Sequence, residues 1–150
     1  MSCPPLPPRD PDLSVFYSAN DSRKNQRIIQ GDKIFTYALQ SNISSNIELN
    51  DTIGYVRYIG TSSVIDDTVE DAFQLNISLP EGDIIASFTI KDTSYEDSSR
   101  FKPNRTYYIP IMAGTGNFAF AMGWIVLNTL ENYKRAIYIY FDPACSPMPM

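Results

Sequence analysis

Residues 114–119 read Gly-Thr-Gly-Asn-Phe-Ala and match the dinucleotide-binding pattern G-x-G-x-x-A. In a nucleotide site this turn closes a strand and opens a helix, whose first N–H groups bind the pyrophosphate. Here the residues that follow alternate between bulky and smaller side chains as far as residue 127, which is the period of a strand. We therefore predict a strand over residues 117–128 and no nucleotide site. The glycines are interpreted as structural positions in a tight turn or bulge, namely Gly114, Gly116 and Gly123.

The predicted strand has two unlike faces. The small residues Ala119, Ala121 and Gly123 either leave room for a ligand inside the fold or allow another subunit to approach closely, and both interpretations stay open. If the bulky face is exposed, it forms an apolar patch that requires a partner. Its side chains are our interface candidates, namely Phe118, Phe120, Met122 and Trp124.

The chain lacks several groups on which common active sites depend. It has no histidine and only two cysteines, which argues against the histidine-based nucleophile systems and against a four-cysteine zinc site. Cys3 and Cys145 lie in proline-rich termini, where they either form a disulfide that ties the ends or remain free or intermolecular thiols. We predict no catalytic residue, metal site or cofactor.

Charge and local composition indicate the surroundings of the protein. The net charge of −5 argues against nucleic acid as a partner. The sequence has no apolar run of 18 residues and no visible signal peptide, so no membrane span is expected. Five N-x-S/T sequons favour an extracellular or virion-associated glycoprotein, although asparagine-rich exposed turns also explain them. The sequons begin at Asn20, Asn42, Asn50, Asn76 and Asn104.

The elements that must position these residues are strands. The apolar and polar residues alternate in eight segments separated by turn signals, and no segment of ten residues has helical periodicity. We predict an antiparallel barrel or sandwich over residues 12–142, flanked by proline-rich tails at 1–11 and 143–150. The basic cluster at 23–27 is predicted to be a solvated loop. The predicted strands are 12–18, 33–39, 52–59, 71–79, 83–91, 106–112, 117–128 and 134–141.

Several motifs occur in an order that resembles the allene oxide cyclase and dirigent barrel superfamily. They are Gly31-Asp32, the strand led by Gly54, the F-x-L-x-x-x-L-P-x-G-D segment at 73–83, the A-G-T-G-x-F-x-x-A-x-G segment at 113–123, and the aromatic strand at 137–141. The resemblance implies an eight-stranded antiparallel barrel with a hydrophobic cavity, usually assembled as trimers. It also implies either closure of an unsaturated epoxide or confinement of phenoxy radicals, neither of which needs a metal or a histidine.

The chain departs from the cyclase pattern at both functional positions. Tyr17 or Ser18 stands where the resemblance places a glutamate, and the strand led by Gly54 lacks the expected cysteine. We therefore predict a non-catalytic structural or binding module of a larger assembly, such as an extracellular coat or a virion. It would contact copies of itself or neighbouring subunits. The alternative is a cyclase-like or dirigent-like protein that holds a lipid epoxide or phenolic radical.

Polar groups on the predicted strands are candidates for contact with a small hydrophobic ligand. Arg57 is flanked by apolar residues, so it lies either on a wet face or in an interior pair. The cavity candidates are Tyr37, Arg57, Gln74, Tyr108, Tyr138 and Tyr140.

Overall fold

The computed structural model describes residues 10–18, 23–29, 33–65, 68–92 and 104–142. These residues form nine strands and two short 3-10 turns, at Gly116–Phe118 and Glu131–Tyr133. The strands are β1 (Leu13–Ser18), β2 (Arg23–Ile29), β3 (Lys33–Ile43), β4 (Gly54–Ile65), β5 (Thr68–Leu79), β6 (Gly82–Asp92), β7 (Arg105–Gly114), β8 (Gly123–Thr129) and β9 (Lys134–Phe141).

The strands form one antiparallel sheet that curls into a nearly closed barrel. Each strand from β2 to β8 pairs with the next along the chain, and β1 pairs with β9. The sheet closes where Phe16 and Ser44 exchange two backbone hydrogen bonds of 2.9 and 2.7 Å, which joins β1 to the end of β3. The predicted eight-stranded antiparallel barrel is thus confirmed, with β1 and β3–β9 as its staves and β2 beside β3 at the edge.

The structure corrects two of the predicted segments. The basic cluster at 23–27 was predicted to be a loop, but it lies in β2. Pairing with β3 holds it as a strand, although its polar sequence has no strand pattern. The strand predicted over 117–128 begins only at Gly123. Before it the chain makes a 3-10 turn in which the Phe118 N–H donates to the Thr115 carbonyl at 3.0 Å. The alternation of phenylalanine and alanine is typical of a strand, but the backbone forms no strand at these residues.

Among the described residues, the side chains that alternate toward the interior along the staves are buried. On β8, Ile125 and Leu127 point inward, and on β9 Ile137 and Ile139 do the same. Burial of these branched side chains is the main driving force for closing the sheet. The most deeply buried aliphatic side chains are Val15, Ile43, Val56, Leu75, Ile77, Ile84, Ile109, Ile125, Leu127, Ile137 and Ile139.

One end of the barrel, which we name the closed end, contains the β5–β6 turn at 80–81 and the segment 115–122. The two are joined by hydrogen bonds from Thr115 N to the Asp83 carbonyl and from Asn117 N to the Glu81 carbonyl, both 2.9 Å. Phe118 is half-buried against the core and stacks on Phe141 with ring centroids 5.8 Å apart. The turn therefore seals this end of the core.

Candidate functional site

The opposite end, which we name the tyrosine end, has five aromatic rings in sequence. They come from five strands and form a belt around the interior, with successive ring centroids 6.1, 5.5, 3.9 and 6.4 Å apart. Rings this close make edge and tilted contacts that are more favourable than area alone suggests. In order around the sheet the belt consists of Tyr17, Tyr58, Phe73, Phe88 and Tyr107.

Polar groups lie beside the belt. Arg135 is paired in register with Tyr17 on one side and with Thr129 on the other, which places all three on the inner face. All three are buried, and the Tyr17 hydroxyl has no hydrogen-bond partner among the described residues. Thr129 accepts a hydrogen bond from the Arg105 N–H at 2.9 Å. Tyr17 and Arg135 thus place a hydroxyl and a guanidinium, both of which can donate hydrogen bonds, beside the aromatic belt.

The predicted cavity residues lie mainly outside the barrel. Arg57 is half-buried on the outer face, where Nε and Nη2 donate to Gln40 Oε1 at 3.2 and 2.8 Å, and its Cζ lies 5.3 Å from the centre of the Tyr55 ring. Gln74 is exposed and donates to Asn76 Oδ1 at 2.8 Å. The sequence left two positions open for Arg57, a wet face or an interior pair, and the structure places it on the outer face.

The three described tyrosines among the candidates share this outer position. Tyr108 is exposed, Tyr138 packs edge-on against Phe16, and Tyr140 stacks on Trp124. Tyr37 belongs to β3, and its side chain lies outside the described part. Contact of any of these residues with a ligand stays a prediction.

The belt was missed because sequence alone does not assign the inner face of a strand. Tyr58, Phe73 and Tyr107 are immediate neighbours of Arg57, Gln74 and Tyr108, and a shift of one residue reverses the face. The alternation of apolar residues along each strand could have indicated the inner face. Val56 and Tyr58 share parity, as do Phe73, Leu75 and Ile77, so the longest apolar series marks the inside.

The interface candidates are not on one face of a strand. Phe118 faces the core, Met122 is half-buried and Phe120 is 93% exposed in the turn before β8. The segment 116–122 borders a groove of about 520 Å³, together with Phe141 and Asp142. Trp124 is on the outer face of β8 and is only 5% exposed. Their participation in an interface stays a prediction.

The glycines have demanding backbone geometry. Gly116 has φ +59°, and Gly123 has φ +139°. A Cβ on Gly123 would lie 1.9 Å from the Tyr140 carbonyl oxygen, and one on Gly114 would lie 1.9 Å from the Phe118 carbonyl oxygen. Only glycine fits these positions without displacement of the backbone. The segment 114–119 leads into a single 3-10 turn, so it lacks the helix that a phosphate site requires.

A polar cavity of about 400 Å³ lies where β1 meets β3. Asp51 closes one side of it by accepting hydrogen bonds from the Ser44 hydroxyl and from the Ser45 N–H and hydroxyl, the last two at 2.9 and 2.5 Å. The bonds from Ser44 and Ser45 lower the pKa of Asp51 to about 2. The cavity is lined by Ser18, Gln40, Ser41, Asn42, Ser44, Leu49, Asp51 and Thr52.

Four of the five sequons can be located. Asn42, Asn50 and Asn104 are exposed, and Asn76 is half-buried on the outer face of β5. Asn20 lies outside the described residues, as do Cys3, Cys145 and most of both predicted tails. Within the described ranges, no helix has the length and hydropathy to cross a bilayer.

The barrel is similar to a solved structure, a pyocyanin demethylase. The match has a TM-score of 0.58 and 17% sequence identity, and it covers 84% of this chain and 96% of the other. At this identity the similarity shows a common fold alone. No protein-family model matches the chain, and no curated protein matches it in sequence. The resemblance to allene oxide cyclases and dirigent proteins therefore stays a prediction.

Proposed function

We propose that this protein is a binding barrel that serves as a non-catalytic structural module of a larger assembly, such as an extracellular coat or a virion. The observation that carries the proposal is the packed aliphatic interior formed by the described residues of the staves. Between the closed end and the aromatic belt, the space enclosed by the staves is occupied by branched aliphatic side chains such as Ile109, Ile125 and Ile137. A core packed in this way stabilises a shape and leaves the outer surface to make contacts.

The closed end supplies a contact point for an assembly. Phe120 is almost fully exposed on a turn whose neighbours are fixed by backbone hydrogen bonds from Ala119 to Gly116 and from Ala121 to Phe118. An exposed aromatic side chain on a hydrogen-bonded turn beside an apolar groove suits a protein interface, because little backbone entropy is lost on docking. Exposed sequons at Asn42, Asn50 and Asn104 agree with an extracellular setting.

Light scattering on the full-length protein over a range of concentrations tests the assembly. We expect an oligomer that weakens when Phe120 is replaced by serine. Tyr133→Ser is the matched control, because Tyr133 is also an exposed aromatic residue on a short turn but lies between β8 and β9. A monomer at all concentrations, or an equal effect of the two substitutions, contradicts the proposed contact.

A second function is favoured by the polar layer at the tyrosine end. The buried Tyr17 hydroxyl without a described partner, next to Arg135 in register, suits a small aromatic ligand with an acceptor group. The similar fold is that of a demethylase named for pyocyanin, so a barrel of this type is compatible with an enzyme activity. The ligand would enter at the belt, above the filled core.

The fluorescence of anilinonaphthalene sulfonate, an aromatic anion, tests this second function. We expect saturable binding that Arg135→Met removes, whereas Arg105→Met does not, since Arg105 lies at the same end but is exposed. Absence of binding to the folded wild-type protein, or equal loss in both variants, contradicts an interior site. Circular dichroism of each variant confirms that the barrel is intact.

A further inference from the structure

The outer surface of β8 and β9 carries a cluster that we name the aromatic face, made of Trp124, Val126, Tyr138 and Tyr140. These side chains alternate with the inward Ile125, Leu127 and Ile139, so they point away from the core. Trp124 and Tyr140 stack with ring centroids 5.6 Å apart and planes at 14°. Trp124 and Val126 are nevertheless each 5% exposed, and Tyr140 is 7% exposed.

Neighbours within the sheet do not explain this burial. On β7, Pro110 pairs with Trp124 and Tyr108 pairs with Val126, and both of these β7 residues are exposed. Within the described ranges, the partly buried hydrophobic residue that packs on the cluster is Tyr138. Side chains in the same sheet flank one another and leave the outer surface open to water. The burial of these three residues therefore requires a covering layer.

The indole of Trp124 indicates the chemistry of that layer. Its Nε1 is buried and has no hydrogen-bond partner among the described atoms. A buried donor without an acceptor is unfavourable, so the covering segment must offer an oxygen as well as apolar surface. A polyproline II segment meets both requirements, because its carbonyl groups are unpaired and its rings pack on aromatic side chains.

The N-terminal residues 1–9 match this chemistry. Four of the five residues at 4–8 are proline, and the fifth is Leu6. The chain enters the sheet beside the aromatic face: Asp12 N donates to the Ile139 carbonyl at 2.8 Å, and Asp12 Oδ2 accepts from the Phe141 N–H at 2.7 Å. Nine residues in polyproline II geometry span about 28 Å, whereas neighbouring strands lie about 5 Å apart. The segment is long enough to cross β9 and β8.

The C-terminal residues 143–150 match this chemistry less well in sequence. They follow Asp142, whose N–H donates to the Met122 carbonyl at 2.8 Å and which lines the groove of the closed end. Their prolines are separated by other residues in the sequence PACSPMPM. We propose that residues 1–9 of the same chain dock on the aromatic face as a polyproline II segment, with a backbone carbonyl accepting the Trp124 Nε1–H.

Trp124 is the single tryptophan of the chain, so its fluorescence reports on the aromatic face alone. We expect removal of residues 1–9 to shift the emission to longer wavelength and to raise acrylamide quenching severalfold. Removal of residues 143–150 is the matched control and should change neither. A peptide of sequence MSCPPLPPR should reverse the effect of the N-terminal truncation, whereas the same peptide with serine in place of each proline should not.

A full-length variant with Pro4, Pro5, Pro7 and Pro8 changed to serine provides a second measurement that does not depend on the truncated chain folding. It should show the same red shift while far-ultraviolet circular dichroism stays unchanged. Unchanged emission in this variant overturns the proposal. A shift that appears only on removing residues 143–150 assigns the face to the other terminus and also overturns it. Emission that shifts on dilution of the intact protein assigns the face to a second copy, with the same consequence.

Discussion

The two ends of the barrel depend on different structural features. At the closed end, the structure depends on backbone geometry: Gly116 and Gly123 take conformations open to few other residues, and the turn around them seals the core. At the tyrosine end, it depends on side chains, with five rings and a layer that contains Tyr17 and Arg135. The difference shows where the protein tolerates change. A substitution at the closed end alters the shape of the chain, whereas one at the tyrosine end alters the chemistry available inside it.

The largest expected effect is at the closed end. Gly123→Val introduces a Cβ against the Tyr140 carbonyl at a φ of +139°, and we expect it to lower the free energy of unfolding by about 3 kcal/mol or more. Ala113→Val is the control, because it adds the same branched side chain at an exposed strand position of the same end and should change stability by less than about 0.5 kcal/mol. Urea unfolding measures both, and equal losses would contradict the special role of Gly123.

The second prediction separates two reasons for the glycine at 116. Gly116→Val should destabilise the protein by about 1–3 kcal/mol, because φ is +59° there. Gly116→Asn should cost less, since asparagine adopts this region more readily. Thermal unfolding compares them. If the two variants lose the same stability, the close approach of the Glu81 carbonyl, 2.5 Å from a Cβ at this position, is the cause instead of φ.

The third prediction concerns the tyrosine end. Tyr17→Phe removes a buried hydroxyl that has no partner among the described residues, so we expect unfolding stability to be unchanged or higher by up to about 1 kcal/mol. The denaturant midpoint is the measurement. A loss of about 1 kcal/mol or more would mean that the hydroxyl is hydrogen-bonded in solution, and would remove the contrast with the closed end.

The smallest expected effect is a pH dependence of the loop that holds Asp51. The pKa of Asp51 is about 2, below its ordinary value of 3.8, so its contribution to stability is present above about pH 4 and is lost as the pH falls toward 2. Asp51→Asn should remove this part of the acid sensitivity. The melting temperature of both proteins between pH 5 and pH 2 provides the comparison, and parallel curves would contradict the role of Asp51.

Much of the fold could be predicted from alternation alone. Segments such as 33–39 and 134–141 carry the period of two that a half-buried strand requires, and both lie in strands of the barrel. β2 could not be predicted in this way, because Arg23–Arg27 is polar throughout and is ordered by pairing with β3. The alternation at 117–122 was misleading for the opposite reason, since Gly116 turns the chain and removes the residues after it from the ladder.

The candidate site was less accessible to sequence analysis. The sequence predicted that tyrosine and arginine lie near the interior. It did not predict which of two adjacent residues on a strand points inward. Arg57 and Tyr108 are outside, while Tyr58 and Tyr107, one position away, belong to the belt. The inner face is the surface that becomes concave when β1 pairs with β9 and also contacts the end of β3, and these contacts join parts of the chain that are distant in sequence.

The pairing of β1 with β9 also bears on how the protein is made. Every other ladder joins strands that follow one another, so those hairpins can form as the chain emerges from the ribosome. Among the described strands β1 is synthesised first, yet its ladder partner β9, which begins at Lys134, is the last of them to appear. Contacts so distant in sequence slow folding, because a long loop must close before they form. The nascent chain thus carries β1 without its β9 partner while the strands between them are synthesised, and we expect that interval to be the one in which it most needs protection from aggregation.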